Sequence, residues 1–83
     1  MAKLLKLVER MLRLPPEMRF EEVIKVLEAF NWQLINTEGS HFIYAKGDVQ
    51  ITIVKHHSKV KRGYFREIVD ILNLEEWYEK NKK

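Results

Sequence analysis

Two short stretches hold residue types that could do chemistry. Gly39-Ser40-His41 opens a run of alternating apolar residues, and Lys55-His56-His57-Ser58-Lys59-Val60-Lys61-Arg62-Gly63 follows as a basic, histidine-bearing segment. An imidazole is the side chain best suited to move protons near neutral pH. Lysines, arginines and exposed backbone N–H groups are what a polyanion needs. From Lys55 to Arg66 there are five cations (Lys55, Lys59, Lys61, Arg62 and Arg66) and no acid, whereas the acids gather in Glu17 to Glu28 and Glu67 to Glu79. A net charge of +3 alone would suit many proteins that never meet nucleic acid, but its concentration in one segment is what a phosphate site requires. The two stretches together point to chemistry on RNA.

Each residue also has a plainer reading. A lone histidine at a strand end is ordinarily hydrogen-bonded to a turn, and Gly39 and Ser40 can build that turn, the glycine by permitting positive φ. The Ser40 hydroxyl can equally contact a phosphate oxygen. His56 and His57 invite a metal reading, but neighbours in an extended chain point to opposite sides, no cysteine is present, and no acid lies nearby in sequence. No metal or other cofactor is therefore expected, and one of the pair serves better as a second imidazole or a phosphate contact. A run of charge is usually a solvated loop. Here binding is favoured, because the run lies just before a helix N-terminus, where dipole and lysine charge add for a phosphate.

The elements that must position these residues are legible from periodicity. Leu4, Leu5, Val8, Met11 and Leu12 recur at helical spacing and predict an amphipathic helix over Lys3 to Leu14, ended by Pro15-Pro16. It could cover the core or serve as an association surface, and covering is the favoured reading. A second helix runs from Phe20 to Phe30, with Phe20, Val23, Ile24, Leu27 and Phe30 as its buried stripe. The period then becomes two: residues 33–37, 41–45 and 49–54 read as three strands, joined by Glu38-Gly39-Ser40 and Lys46-Gly47-Asp48. Alternation leaves open which face His41 shares, since Phe42 with Tyr44 or Ile43 with Ala45 could be the buried pair. Lys55 to Arg62 reads as a loop, and Phe65, Ile68, Val69 and Leu72 mark a third helix. Asn73 caps a last short helix carrying Leu74, Trp77 and Tyr78, with Glu76 three residues after the cap. Trp32, Tyr44, Tyr64 and Trp77 read as core or shoulder residues. The order predicts an α+β fold, a three-stranded antiparallel sheet with helices on one face and the other face open or taken by a partner.

At 83 residues one domain is expected. Residues 1–16 would be a helical extension, 20–72 the core and 73–83 a short helix and tail. The 46% hydrophobic content can support a core, and no apolar run is long enough to span a bilayer. The start of the chain is too charged for a signal peptide, and without cysteine the cytoplasm is the expected compartment.

The region from residue 20 to 72 resembles the HicA toxins of toxin–antitoxin pairs, small endoribonucleases with a double-stranded-RNA-binding-domain-like fold. The resemblance rests on the helix Phe20 to Asn31 followed by Trp32-Gln33-Leu34, then Gly39-Ser40-His41-Phe42-Ile43-Tyr44. It continues through Ile51-Thr52-Ile53-Val54-Lys55-His56 and Lys61-Arg62-Gly63-Tyr64-Phe65-Arg66-Glu67-Ile68. It implies an α-β-β-β-α core, cleavage of mRNA, His41 as the catalytic residue, and a HicB-like antitoxin as partner. Lys55 stands where the family usually has proline, and the segment up to Pro16 lies outside the family core.

The leading expectation is thus a metal-independent endoribonuclease, monomeric when free, with His41 in proton transfer. RNA would be bound by Gly39, Ser40, Lys55, His56, His57, Lys59, Lys61, Arg62, Gly63 and Arg66. Two rival readings are a catalytically silent RNA-binding module of the same shape and a protein-interaction domain of antitoxin type whose open sheet face pairs with a partner.

Overall fold

A computed structural model describes residues 2–82. The chain forms α1 (Ala2–Leu12), β1 (Glu17–Arg19), α2 (Phe20–Ala29), β2 (Gln33–Glu38), β3 (His41–Lys46), β4 (Val49–Val54), β5 (Lys59–Lys61), α3 (Arg62–Leu72) and α4 (Leu74–Asn81). Strands β2, β3 and β4 make an antiparallel meander in that order, and β1 pairs antiparallel with β5 in a separate two-stranded ribbon. This is the expected α+β, double-stranded-RNA-binding-domain-like α-β-β-β-α core with added helices at both ends.

The sheet has one apolar face because its central strands alternate. Tyr44, Ile51 and Ile53 are buried against Val23, Val26, Leu27, Phe65 and Ile68 of the helices, whereas Thr52 and Gln50 are exposed. Fully burying an Ile side chain is worth about 1.5–3 kcal/mol, so this choice of face is strongly set. Helix α2 buries Val26 in addition to the Val23 and Leu27 of its expected stripe, leaving Phe20, Ile24 and Phe30 half-buried. Its C-terminal carbonyls are closed by a cation, Lys46 Nζ donating to the Phe30 carbonyl at 2.9 Å. Helix α4 docks through fully buried Leu74, with Trp77 edge-on to Phe30 at 5.3 Å between centroids. Asn73 is the hinge before it, in left-handed conformation at φ 54°. The expected side-chain cap is not made: the Asn73 amide instead donates to the Glu76 carboxylate, because its left-handed backbone does not present the side-chain oxygen to the first-turn N–H groups.

Two expectations are corrected. The first helix stops at Leu12, since the residue before proline disfavours the helical region; a tighter turn (Arg13 N–H to Arg10 carbonyl, 3.1 Å) then leads to Leu14, which stands at φ 51°. The segment Lys55 to Arg62 is not a loop. Lys59–Lys61 is β5, and Arg62 already belongs to α3. The reason is that Glu17-Met18-Arg19, a polar-apolar-polar triplet too short to read as a strand alone, pairs with Lys59-Val60-Lys61 and buries Met18 and Val60 together.

Helix α1 covers the core, as expected. Val8 and Met11 are fully buried, and the helix packs on α2, α3 and α4. An ion pair also ties it down: Arg10 meets the Glu22 carboxylate with two bonds of 3.2 and 2.9 Å, while Glu22 accepts the N–H of Arg19 at the start of α2. Burial outweighs this half-exposed pair. In equilibrium denaturation Met18→Ala is expected to cost about 2–5 kcal/mol and Arg10→Ala no more than about 1 kcal/mol; the reverse order would contradict this account.

Tyr44 supplies a pH signature. Burial, and secondarily the Glu28 carboxylate, holds its phenol above the ordinary value of 10.0. The folded chain therefore keeps a proton that the unfolded chain releases, and the stability this gives is present below pH 10 and lost as pH rises through the raised value. Compared with wild type, Tyr44→Phe should show a smaller loss of stability between neutral pH and the alkaline range, and parallel curves would refute the assignment.

Candidate functional site

The turn between β2 and β3 is two residues long. Glu38 pairs directly with His41, and Gly39 sits at φ 57°, a conformation that glycine adopts without steric cost. Because Phe42 and Tyr44 are the strand's inward pair, His41 falls with Ile43 and Ala45 on the face away from the helices. It is exposed, lies opposite Val54 of β4, and among the described residues none of the hydrogen bonds engages its imidazole. Ser40 is tied to the basic segment, its carbonyl accepting the Lys55 N–H at 2.9 Å. Gly39, Ser40, His41, Val54 and Lys55 thus meet at one corner of the sheet.

The basic segment is a second hairpin. His56 and Lys59 exchange both backbone bonds, at 2.8 and 2.9 Å, around His57 at φ 51° and Ser58 at φ 67°. That double positive φ is the geometry of a type I′ turn. It also changes the histidine argument: the two neighbours are not in an extended chain, and their rings lie edge to face at 4.4 Å. The Ser58 carbonyl accepts the N–H of Phe20, which sets the turn against the start of α2.

The cations do not all gather at His41. The Lys55 ammonium lies over the rings of Phe20 and Phe42, at 4.9 and 5.9 Å, on the helix-covered side of the sheet. Lys59 and Lys61 stand on the outer side of the ribbon and share one acid, Glu17, at 3.2 and 3.8 Å. Sequence distance hid that acid; the β1–β5 ladder delivers it. Arg62 donates from Nε to the Pro15 carbonyl at 3.4 Å, and its N–H is taken by the Pro16 carbonyl. At the α3 N-terminus the amides of Gly63 and Tyr64 come before any residue that can find a partner four back, whereas Arg66 lies beyond them and exposes its side chain from the helix.

Arg19 is the cation that sequence reasoning missed. It pairs in register with Lys59, and a surface recess of about 330 Å³ is lined by Arg19, Phe20, Glu21, Lys55, Ser58 and Lys59. Its only signal in the sequence was the alternation of Glu17-Met18-Arg19.

A family model described as the HicA toxin of bacterial toxin–antitoxin matches residues 20–75. The chain belongs to that family. No curated protein and no solved structure matches it. As a HicA toxin it is one half of a toxin–antitoxin system, with a HicB-type antitoxin as the implied partner. The match runs from the first residue of α2 into α4, so the corner bearing His41 and both hairpins lie inside it, while α1 and β1, with Glu17 and Arg19, lie outside.

Glu17, which precedes the matched region, thus offsets the charge of Lys59 and Lys61 inside it. Replacing it by glutamine in Glu17→Gln should release Lys59 and Lys61, tightening binding to a fixed RNA oligonucleotide at low salt and steepening the log–log salt dependence by about 1 to 2. An unchanged slope would show that the two lysines do not face the nucleic acid.

Proposed function

We propose that this HicA toxin is an endoribonuclease that cleaves mRNA in the cytoplasm without a metal ion. His41 moves a proton, and the segment from Lys55 to Arg66, with Gly39 and Ser40, holds the phosphates. The observation that carries the reading is the placement of His41. It is an exposed imidazole on the open sheet face, beside the turn that bonds to Lys55, inside the region matched to the family.

The chemistry follows from the substrate. An RNA phosphodiester carries its own nucleophile in the neighbouring 2′-hydroxyl, so the reaction needs proton transfer and charge stabilisation rather than a metal-bound water. A well-placed imidazole contributes on the order of 10²–10⁴ in rate. Cations and the free amides at the start of α3 can balance charge on the phosphate oxygens. Arg19 joins these contacts through the recess it shares with Lys55 and Lys59. The HicB-type partner would silence the toxin by covering His41 and the basic hairpin, acting on a toxin that is a monomer when free.

The test is cleavage of RNA in EDTA from pH 5.5 to 8.5, with wild type and a folded His41→Ala variant. Cleavage by the wild type that falls at least 10²-fold in the variant is the expected result. Activity that disappears in EDTA and returns with a divalent ion would refute the mechanism, and salt-dependent binding with no cleavage by either protein would leave an RNA-binding module.

A further inference from the structure

The β3–β4 register sets His56 diagonal to His41. His41 faces Val54 across the β3–β4 ladder, and the ladder continues one step further through the bond from the Lys55 N–H to the Ser40 carbonyl. The seat of the Lys55 ammonium over Phe20 and Phe42 places this residue on the helix-covered face with Ile51 and Ile53. Alternation therefore persists through residue 55. The next residue, His56, returns to the open side with Val54 and His41. Two residues beyond the direct partner is the diagonal position, roughly 7–8 Å away and within reach of long or aromatic side chains.

The surroundings suit a shared ligand. Both histidines are exposed, and half-buried Val54 lies between them. His56 is held by its two backbone bonds to Lys59 and by the ring of His57. Gly39 offers no side chain in the adjoining turn, where a Cβ would meet nothing within 4 Å. A cation borders the place through Lys59, which pairs directly with His56 and so shares its side.

We infer that His41 and His56 work as a pair on one RNA phosphodiester, one as general base and the other as general acid. This rests on the ribonuclease reading and deepens it. The neutral imidazole takes the proton of the 2′-hydroxyl as that oxygen bonds to phosphorus. The bond from phosphorus to the 5′-oxygen breaks, and the imidazolium gives its proton to the departing oxygen. The products are a 2′,3′-cyclic phosphate and a 5′-hydroxyl. The histidines finish with exchanged protonation states and reset through water, so no oxidant or further reactant enters. His57, the next residue, packs on His56 and is a positioning residue.

The experiment compares wild type, His41→Ala, His56→Ala and His56→Gln, each checked for folding by circular dichroism, on an RNA oligonucleotide and on the same oligonucleotide with sulfur replacing the 5′-bridging oxygen. A thiolate leaves without protonation, so it restores only a protein that lacks the acid. The expected result is a bell-shaped wild-type pH profile, a loss of about 10²–10⁴ in each variant on normal RNA, a different limb missing in the His41 and His56 variants, and thiolate rescue at only one of the two positions. His56 variants as active as wild type, or rescue at both positions or at neither, would overturn the pair while leaving His41-dependent cleavage standing. A wild type that cleaves neither substrate would remove the ribonuclease reading and the pair together.

Discussion

The burial of Tyr44, Ile51 and Ile53 against the helices is the constraint on which the rest of this molecule depends. A strand has a side-chain period of two, so committing one set of residues to the core commits the other set to the opposite face. Once Phe42 and Tyr44 turn inward, His41 must turn outward, and the same logic carried along β4 separates Lys55 from Val54. A slip of one residue would put the imidazole into the core and two isoleucines into water. The exposed position of His41 is thus held in place by apolar residues on the opposite face.

The second organising contact is the ribbon between β1 and β5. Only three residues pair on each side, and a ribbon of that size is marginal alone. Met18 and Val60 join it to the core, and α2 and α3 pack on it, so its stability is borrowed from tertiary packing. Its consequence is electrostatic. The ladder sets Glu17 between Lys59 and Lys61 and brings Arg19 alongside Lys59, so a segment with no acid in its own sequence acquires one from forty residues away and gains a different cation in exchange. The match to the HicA family covers the lysines but not their acid, which lies before the matched region.

The outer edge of the sheet shows how such a surface avoids indiscriminate pairing. Strand β2 is exposed along its length, with Leu34 and Ile35 about half accessible, yet its register with β3 shifts between Leu34 and Asn36. A bulge twists and interrupts the row of free backbone groups that would otherwise template another strand. The open face can then serve ligands or a partner of defined shape.

Much of this was legible from residue order. Helical spacing located α1, α2 and α3, period-two runs and their glycine turns located the meander, and Gly39-Ser40-His41 with the basic histidine segment marked the corner where the candidate site lies. These are local signals, set by propensity and by patterns within one element. What the order could not decide depended on partners far apart in the chain. The face taken by His41 was ambiguous because both alternating sets of β3 are apolar enough to be buried, and only packing against α2 and α3 chose between them. The strand at Lys59–Lys61 was hidden because three residues carry too little propensity to announce a strand without the distant triplet that pairs with it. The sequence alone determined the helices and the meander, their order and the residue types they carry; the tertiary structure decided the β1–β5 ribbon, which side each side chain occupies and which charges are neutralised, because strand pairing, burial and ion pairing are properties of neighbours in space.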